Sequence, residues 1–192
     1  MTEYTIKKML DDAVKVNIAV PQLDGVSRFN KMFQKAATTF YRTAETKLLS
    51  KAHTAEPQSL PYSAVMRYLC PSEDEEKISV VLDAFFYDGA EREVKRFAFV
   101  WDKRTDNIMT FSDFFDSAQK RRIVDVLAEA ATQLQSRGRA NFFSDYEKII
   151  RRRFDTRLFC LSDNGYLFFY PAGTLTPSNK PFTFRLHKND IE

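Results

Sequence analysis

The sequence predicts an α+β fold: an antiparallel β-sheet meander with amphipathic helices packed on it. Three observations carry that reading. Several segments alternate apolar and polar residues with the period of two that a half-buried strand requires, VKVNIAV at 14–20 being the clearest. Two longer segments, opening near Ser27 and Ser117, repeat apolar residues at helical spacing. Turn chemistry at Asp88-Gly89 and at Ser162-Asp163-Asn164-Gly165 folds consecutive strand-like runs back on one another.

Taken in order, Tyr4 to Leu10 and Val14 to Pro21 read as strands, with Pro21 ending the second because it has no ladder donor. Asp24-Gly25 is a turn, and Ser27 is the expected cap of a helix that ends near Ala52. Phe29, Met32, Phe33, Ala36, Ala37, Phe40, Ala44 and Leu48 form its apolar face, a core stripe rather than a cofactor box. HTAEPQS, from His53, is a connecting loop. Pro61 to Leu69 is the next strand, and the acidic run Ser72 to Glu76 is an exposed turn.

In ISVVLDAFFYDG, Ile78, Val80, Leu82, Ala84 and Phe86 share one face, and Val81, Phe85 and Tyr87 the other, interrupted by Asp83. In VKRFAFVW, Phe97, Phe99 and Trp101 oppose Val94, Ala98 and Val100. Both faces of these two strands are expected to be covered, which suits the middle of a sheet. Thr110 or Ser112 caps the turn before a helix over about Ser117 to Ser136, whose buried face is Ile123, Val126, Leu127, Ala130 and Leu134. Arg137-Gly138 ends that helix, Gly taking the left-handed closing conformation. SDYE, Ser144 to Glu147, has the spacing of a capping box and opens a short helix through Arg153. Leu158 to Leu161 and Tyr166 to Tyr170 form a hairpin, and Phe182 to Leu186 a last strand.

The 192 residues fit a single domain over 1–192, with an N-terminal lobe at 1–55 and a C-terminal lobe at 56–192 as a subdivision. A net charge of +3 is too small an excess to argue for nucleic acid. Cys70 and Cys160 lie far apart, without metal-ligand or redox spacing; free thiols are expected, a long-range disulfide being the alternative in an oxidising compartment. The N-terminus lacks the pattern of a signal peptide, and no apolar run reaches the ~20 residues needed to cross a bilayer. A soluble chain is expected, cytoplasmic if complete and extracytoplasmic if excised from a longer parent.

Catalytic constellations are hard to assemble. His53 and His187 are the only histidines, and neither has metal-ligand partners at short spacing. There is no G-x-S-x-G, no G-x-G-x-x-G and no P-loop, so no cofactor is expected. Asp102, Asp106, Asp113 and Asp116 cluster in sequence. A cation site or acid–base pair is one reading; turn and cap chemistry is the favoured one. Lys120, Arg121 and Arg122 form one basic run, and Arg151, Arg152 and Arg153, with Arg157 nearby, form another. These read as solvated faces, the second also offsetting a helix dipole; as a basic surface they could meet phosphates or an acidic protein.

The order of short motifs resembles the RsiV-like domain, found outside the membrane in anti-sigma factors and attached to some peptidoglycan deacetylases. The matching features run from about Val14 to Leu186: VPQLDGVSRFN with Pro21, Gly25 and Asn30, then DGAERE with Gly89 and Ala90. VWDKRTDNIMTFSDFF follows, with Asp102, Thr105, Asp113 and Phe115, and the last is the finish FCLSDNGYLFFYPAGTLTPSNKPFTFRL. Departures are Glu91 and Arg92 after Gly89-Ala90, Thr105-Asp106 in place of a Thr-Gly turn, and the PAGTLTP loop. The resemblance implies helices packed on an antiparallel sheet. It also implies binding or sensing rather than catalysis, with a lysozyme-like protein or a peptidoglycan fragment as partner.

The candidate contact surface is the loop after the last hairpin, with Tyr170, Pro171, Gly173, Thr174 and Thr176, because loops on rigid strands carry recognition; a purely structural loop covering the core is the other reading of it. Two alternatives stand beside this reading. One is a cell-wall-related hydrolase whose site converges in space around Asp83, Asp102 or Asp113. The other is a nucleic-acid binder using the arginine runs, not expected at this net charge.

Overall fold

Sheet pairing begins at a tight turn in which Asp11 and Asp12 both adopt positive φ, a conformation that short Asp side chains tolerate. It joins β1 (Thr2–Leu10) to β2 (Val14–Gln22) as an antiparallel pair. The computed structural model describes residues 1–56, 61–89, 92 and 94–191. Pro21 does not end β2 as expected: it lies inside the strand, opposite Glu3. From β2 the chain crosses back through a helix and returns as β3 (Tyr62–Glu73), parallel to β2 from Val14 opposite Tyr62 to Ile18 opposite Met66. The strands β4 (Lys77–Tyr87), β5 (Lys95–Asp102) and β6 (Asn107–Met109) then pair antiparallel in sequence order. The result is one six-stranded sheet, β1 to β6, a meander with a single parallel step.

The crossover helix is α1 (Ser27–Thr43), continued by a π-helical turn (Ala44–Leu48) and a last turn α2 (Leu49–Ala52). It covers one face of the sheet. Phe29, Phe33, Ala37, Ala44 and Leu48 meet Val14, Val16, Ile18 and Val20 of β2, and Ile78, Val80 and Leu82 of β4. Phe29 meets Trp101 edge-on at 5.5 Å, Phe33 meets Phe99 likewise, and Phe40 stacks on Phe86 at 4.5 Å. Such aromatic pairs are worth ~0.5–1.5 kcal/mol beyond the area they bury.

The helix is not capped as its own sequence suggests. Val26 is the N-cap residue, and no side chain beside it supplies a cap bond. The acceptor comes from the β5–β6 turn: Asp106 Oδ2 accepts from Arg28 N (2.8 Å), and Oδ1 accepts from Phe29 N (3.2 Å) and from the Trp101 indole (3.1 Å). Ser27 is displaced as cap because a carboxylate from across the sheet already fills that position.

The opposite face of the sheet meets a second unit, so the expected single sheet is in fact two. A 3₁₀ turn (Phe111–Asp113) leads to α3 (Ser117–Ser136), α4 (Tyr146–Arg153) and a three-stranded antiparallel sheet of β7 (Phe159–Ser162), β8 (Gly165–Tyr170) and β9 (Phe182–His187). β7 lies against the large sheet, where Leu161 N donates to Ser79 Oγ at 3.0 Å. Val81 and Val100 point to this side and join Phe115, Ile123, Leu127, Ile150, Phe159 and Phe168 in the second core. β4 therefore feeds two cores through the two sides of one strand, as its doubly apolar sequence requires.

Asp116 caps α3 in a box with Gln119. Gly138 closes it at positive φ, and Arg139 N donates to Leu134 O. The expected Ser144–Glu147 capping box does not form. Asp145 is the N-cap residue with no side-chain cap bond, and the Glu147 carboxylate turns towards the Thr132 and Tyr146 hydroxyls instead. No helix among the described residues is long and apolar enough to cross a membrane. Cys70 and Cys160 are both free thiols. Burial pushes the Cys160 thiol up to about 12 and the Cys70 thiol up to about 11.

Candidate binding surface

β5 has eight residues and β6 only three, and this mismatch creates the most open feature of the sheet. β6 pairs with Val100, Trp101 and Asp102, leaving Lys95 to Phe99 without a strand on that side. The direction of each backbone group follows from ladder parity. Lys103 N donates to Glu76 O, so odd-numbered residues of this segment bond towards β4 and even-numbered residues point outward. The outward N–H of Val94 is taken by Asn179 O at 3.0 Å. Val100 and Asp102 face β6. Between them stand Arg96 and Ala98, whose outward N–H and C=O groups have no partner strand among the described residues.

An apolar cleft lies on each side of this gap. On the α1 side a cleft of 670 Å³ is lined by Met32, Phe40, Phe86, Phe97 and Phe99, among others, with Lys35 and Lys95 at its rim. No carboxylate lines it, and neither lysine has a carboxylate partner among the described residues. On the other side a cleft of 560 Å³ runs between β5 and the Asp155–Phe159 segment, with Met109 and Phe111 in its wall. Both volumes lie in the range of ligand pockets. Phe97 borders both and is 45 % exposed. The alternation of Phe97, Phe99 and Trp101 suggested a substantially covered face; Trp101 is buried and Phe99 partly so, but the short β6 and the cleft beneath α1 leave Phe97 exposed.

The loop expected to make contacts adjoins this surface at one end. Tyr170 and Pro171 share a smaller cleft of 270 Å³ with Lys95 and Phe97. Pro171 and Gly173 are exposed, and Thr174 and Thr176 half-buried. Tyr170 itself is only 1 % exposed: its hydroxyl donates to Ile150 O at 3.0 Å, and burial raises its pKa. The loop is pinned by buried Leu175, whose carbonyl accepts from Phe143 N. The structure thus gives Tyr170 and Leu175 to the core and leaves Pro171 and Gly173 exposed, with Thr174 and Thr176 half-buried.

The carboxylates considered for acid–base chemistry are each committed. Asp83 is buried and held by Arg96 Nε and Nη2 at 2.7 and 2.8 Å, while Arg96 Nη1 donates to Thr183 and the guanidinium lies over Phe169. Asp102 accepts from the backbone of Thr105 and Arg104, which holds it below the usual carboxylate range. Asp113 is lowered likewise by the Thr110 backbone N–H and hydroxyl. Burial works to raise Asp106, but the backbone donors of Arg28 and Phe29 and the Trp101 indole outweigh it and hold the carboxyl low. Asp102, Asp106, Asp113 and Asp116 do not converge; they cap and close turns, while Asp83 is held in its ion pair with Arg96.

His53 lies beside Asp11, and no group of three potential metal ligands occurs among the described residues. Of the basic residues, Arg151 pairs with Asp125 and Arg157 with Asp155, while Arg152 and Arg153 are exposed at the end of α4. Ala90 and Glu91, part of the motif after β4, lie outside the described residues.

The clefts and the gap at β5 were not legible as a site in the sequence. The available signal was the length of the polar-flanked Asn107–Met109 run against the longer strand before it.

No family model matches the sequence, and no curated protein matches it. Two solved structures share the architecture. The crystal structure of a DUF3298 family protein from Pseudomonas aeruginosa PAO1 is 15 % identical, superposes with a TM-score of 0.70, and covers 99 % of this chain and 91 % of its own. A member of the same family from Bacteroides fragilis NCTC 9343 is 10 % identical, with a TM-score of 0.61, covering 98 % of this chain and 90 % of its own. This chain therefore has the α+β fold of those DUF3298 family proteins over nearly its whole length.

Proposed function

We propose that this chain is a non-catalytic binding or sensory module of the RsiV-like type, recognising a protein or a cell-wall ligand. The observation that carries the reading is the gap in β5, open between two apolar clefts. Ligand sites combine apolar walls with a few placed polar groups, and the outward backbone groups of Arg96 and Ala98, unpaired among the described residues, with Lys35 and Lys95 supply that combination. The carboxylates that a hydrolase would need are meanwhile spent on caps, turns and an ion pair. The exposed part of the loop from Pro171 to Thr176 extends the surface, reached through the cleft shared with Lys95.

The test is capture of lysozyme and of peptidoglycan fragments by the immobilised full chain, with Trp101 fluorescence confirming the fold. Micromolar binding of either, weakened by Phe97→Ser, supports the reading. A folded chain that captures neither class overturns it.

A further inference from the structure

Resting on the binding-module reading, we infer that the gap in β5 is a strand-addition site for an extended segment of a partner protein, with alternating apolar side chains and flanking acidic residues. Four backbone groups point to this occupant. The outward N–H and C=O of Arg96 and Ala98 form an open ladder, bounded by Asn179 at one end and β6 at the other. An added strand directs successive side chains to opposite faces of the sheet. Those two faces are where the two clefts lie, so alternate residues of the incoming segment enter the α1 cleft and the Phe111–Phe159 cleft in turn.

Charge selects the flanks. Lys35 and Lys95 at one cleft have no carboxylate partner among the described residues, and exposed Arg92 lies over Phe85 nearby. In the other cleft the one carboxylate, Asp155, is already paired with Arg157. Acidic residues beside the apolar ones answer this excess of cations.

The other long edge of the sheet shows why this one is different. β1 is open along its whole length but carries Glu3, Lys7 and Lys8, the charged guard typical of an edge kept free of partners. At β5 the guard is interrupted by exposed Phe97. A second copy of this chain fits poorly, because its own β5 gap is equally hemmed by β6 and Asn179. Two recessed edges cannot both reach, whereas a single extended strand can.

The test sorts displayed random peptides of about eight residues, long enough at ~3.4 Å per residue to span the gap, against the full chain. The central variant is Ala98→Pro. It removes an outward N–H while sparing the β4 ladder, so the fold survives, as Trp101 fluorescence and circular dichroism will verify. Phe97→Ser and the pair Lys35→Glu with Lys95→Glu are independent surface variants that keep the proposal testable should the proline disturb folding.

Enriched peptides alternating apolar residues, flanked by Asp or Glu, with affinity about tenfold weaker for Ala98→Pro and for the charge-reversed pair, support strand addition. Four results of the peptide and ligand assays overturn it, and a fifth comes from the capture assay. The four are no enrichment over the variants; peptides indifferent to all three changes; concentration-dependent dimers that Ala98→Pro abolishes; and binding of lauric acid in the α1 cleft that excludes peptides and ignores Ala98→Pro. Lysozyme or cell-wall capture that survives Ala98→Pro and Phe97→Ser removes strand addition and leaves a binding module working through another surface. Failure of capture with positive peptide sorting overturns the proposed lysozyme or cell-wall recognition and leaves strand addition standing.

Discussion

Asp106 offers a sharp test of the packing, because its carboxylate ties the β5–β6 hairpin to the start of α1, far away in sequence. Asp106→Asn keeps the shape and tolerates the positive φ of that position. Its one remaining oxygen can hold the Phe29 N–H and Trp101 indole, while the amide nitrogen faces the Arg28 N–H and loses that bond. Losing one cap acceptor costs about 1 kcal/mol. Asp106→Gly removes the two oxygens that accept all three bonds, without backbone strain. The second cap bond and an indole N–H left in a buried position bring the loss to about 2–3 kcal/mol. For a chain of this size each kcal/mol moves Tm by about 2–4 °C. The asparagine variant should therefore melt about 2–4 °C lower, and the glycine variant about 4–12 °C lower.

Trp101 is the only tryptophan, so its fluorescence reads both the melt and the local contact. Ser27→Ala, at the position the sequence nominates as cap, should leave Tm within about 1 °C. Acid adds a second axis. A carboxyl held low in the folded state stabilises above its unfolded value of about 3.9, and that stabilisation is lost as pH falls through the lower folded value. The gap between wild type and Asp106→Asn should be constant from neutral pH down to about pH 5 and narrow below about pH 4. If Ser27→Ala were the more damaging change, or if the gap were insensitive to acid, the cross-sheet cap would be wrong.

Asp83→Ala should cost about 3–5 kcal/mol in denaturant unfolding because it strands Arg96 in a largely buried position, and Asp83→Val with Arg96→Met should recover most of the loss. A single variant no worse than the double would contradict this. Gly165→Ala places a Cβ 2.1 Å from the Leu186 carbonyl oxygen, so the β8–β9 pairing must shift; a loss of about 3 kcal/mol is expected in a chemical melt, and wild-type stability would refute the close approach. Tyr170→Phe leaves the Ile150 carbonyl without its donor and should lower stability by about 1–2 kcal/mol. Because burial raises the Tyr170 pKa, the stabilisation of its neutral form is full below about pH 10 and is lost as pH rises towards the folded value, a loss that an alkaline melt should show in wild type and not in the variant.

Elements whose signal is local were legible. The alternation of Val14, Val16, Ile18 and Val20 is the pleat itself, and those four residues are the buried face of β2. The stripe from Phe29 to Leu48 is the core face of the crossover helix, and Gly138 sits at positive φ where a helix end requires it. What escaped depends on partners far along the chain. Nothing beside Ser27 reveals that Asp106 already fills its role. The doubly apolar β4 announces cover on both sides without saying that the second cover is another sheet. The exposed Phe97 is the plainest case. Its sequence neighbourhood is that of a buried central strand, and only the brevity of β6, together with the position of Asn179, leaves its edge open.

On the proposed binding reading, the place of the surface follows from how β4 and β5 are held. β4 is paired on both sides and packed on both faces, so it is the rigid spine of the molecule. β5 is anchored to β4 along its whole length and by the Arg96–Asp83 pair, yet its far edge is left unfinished over Arg96 and Ala98. A partner that completes the ladder meets backbone groups already held in strand geometry, so little ordering of this chain opposes binding. A loop site such as the segment after Tyr170 lacks that advantage except where it is pinned by Leu175 and by the buried tyrosine. The two surfaces meet at Lys95 and Phe97, and a ligand spanning both would combine the pre-formed edge with the adaptable loop.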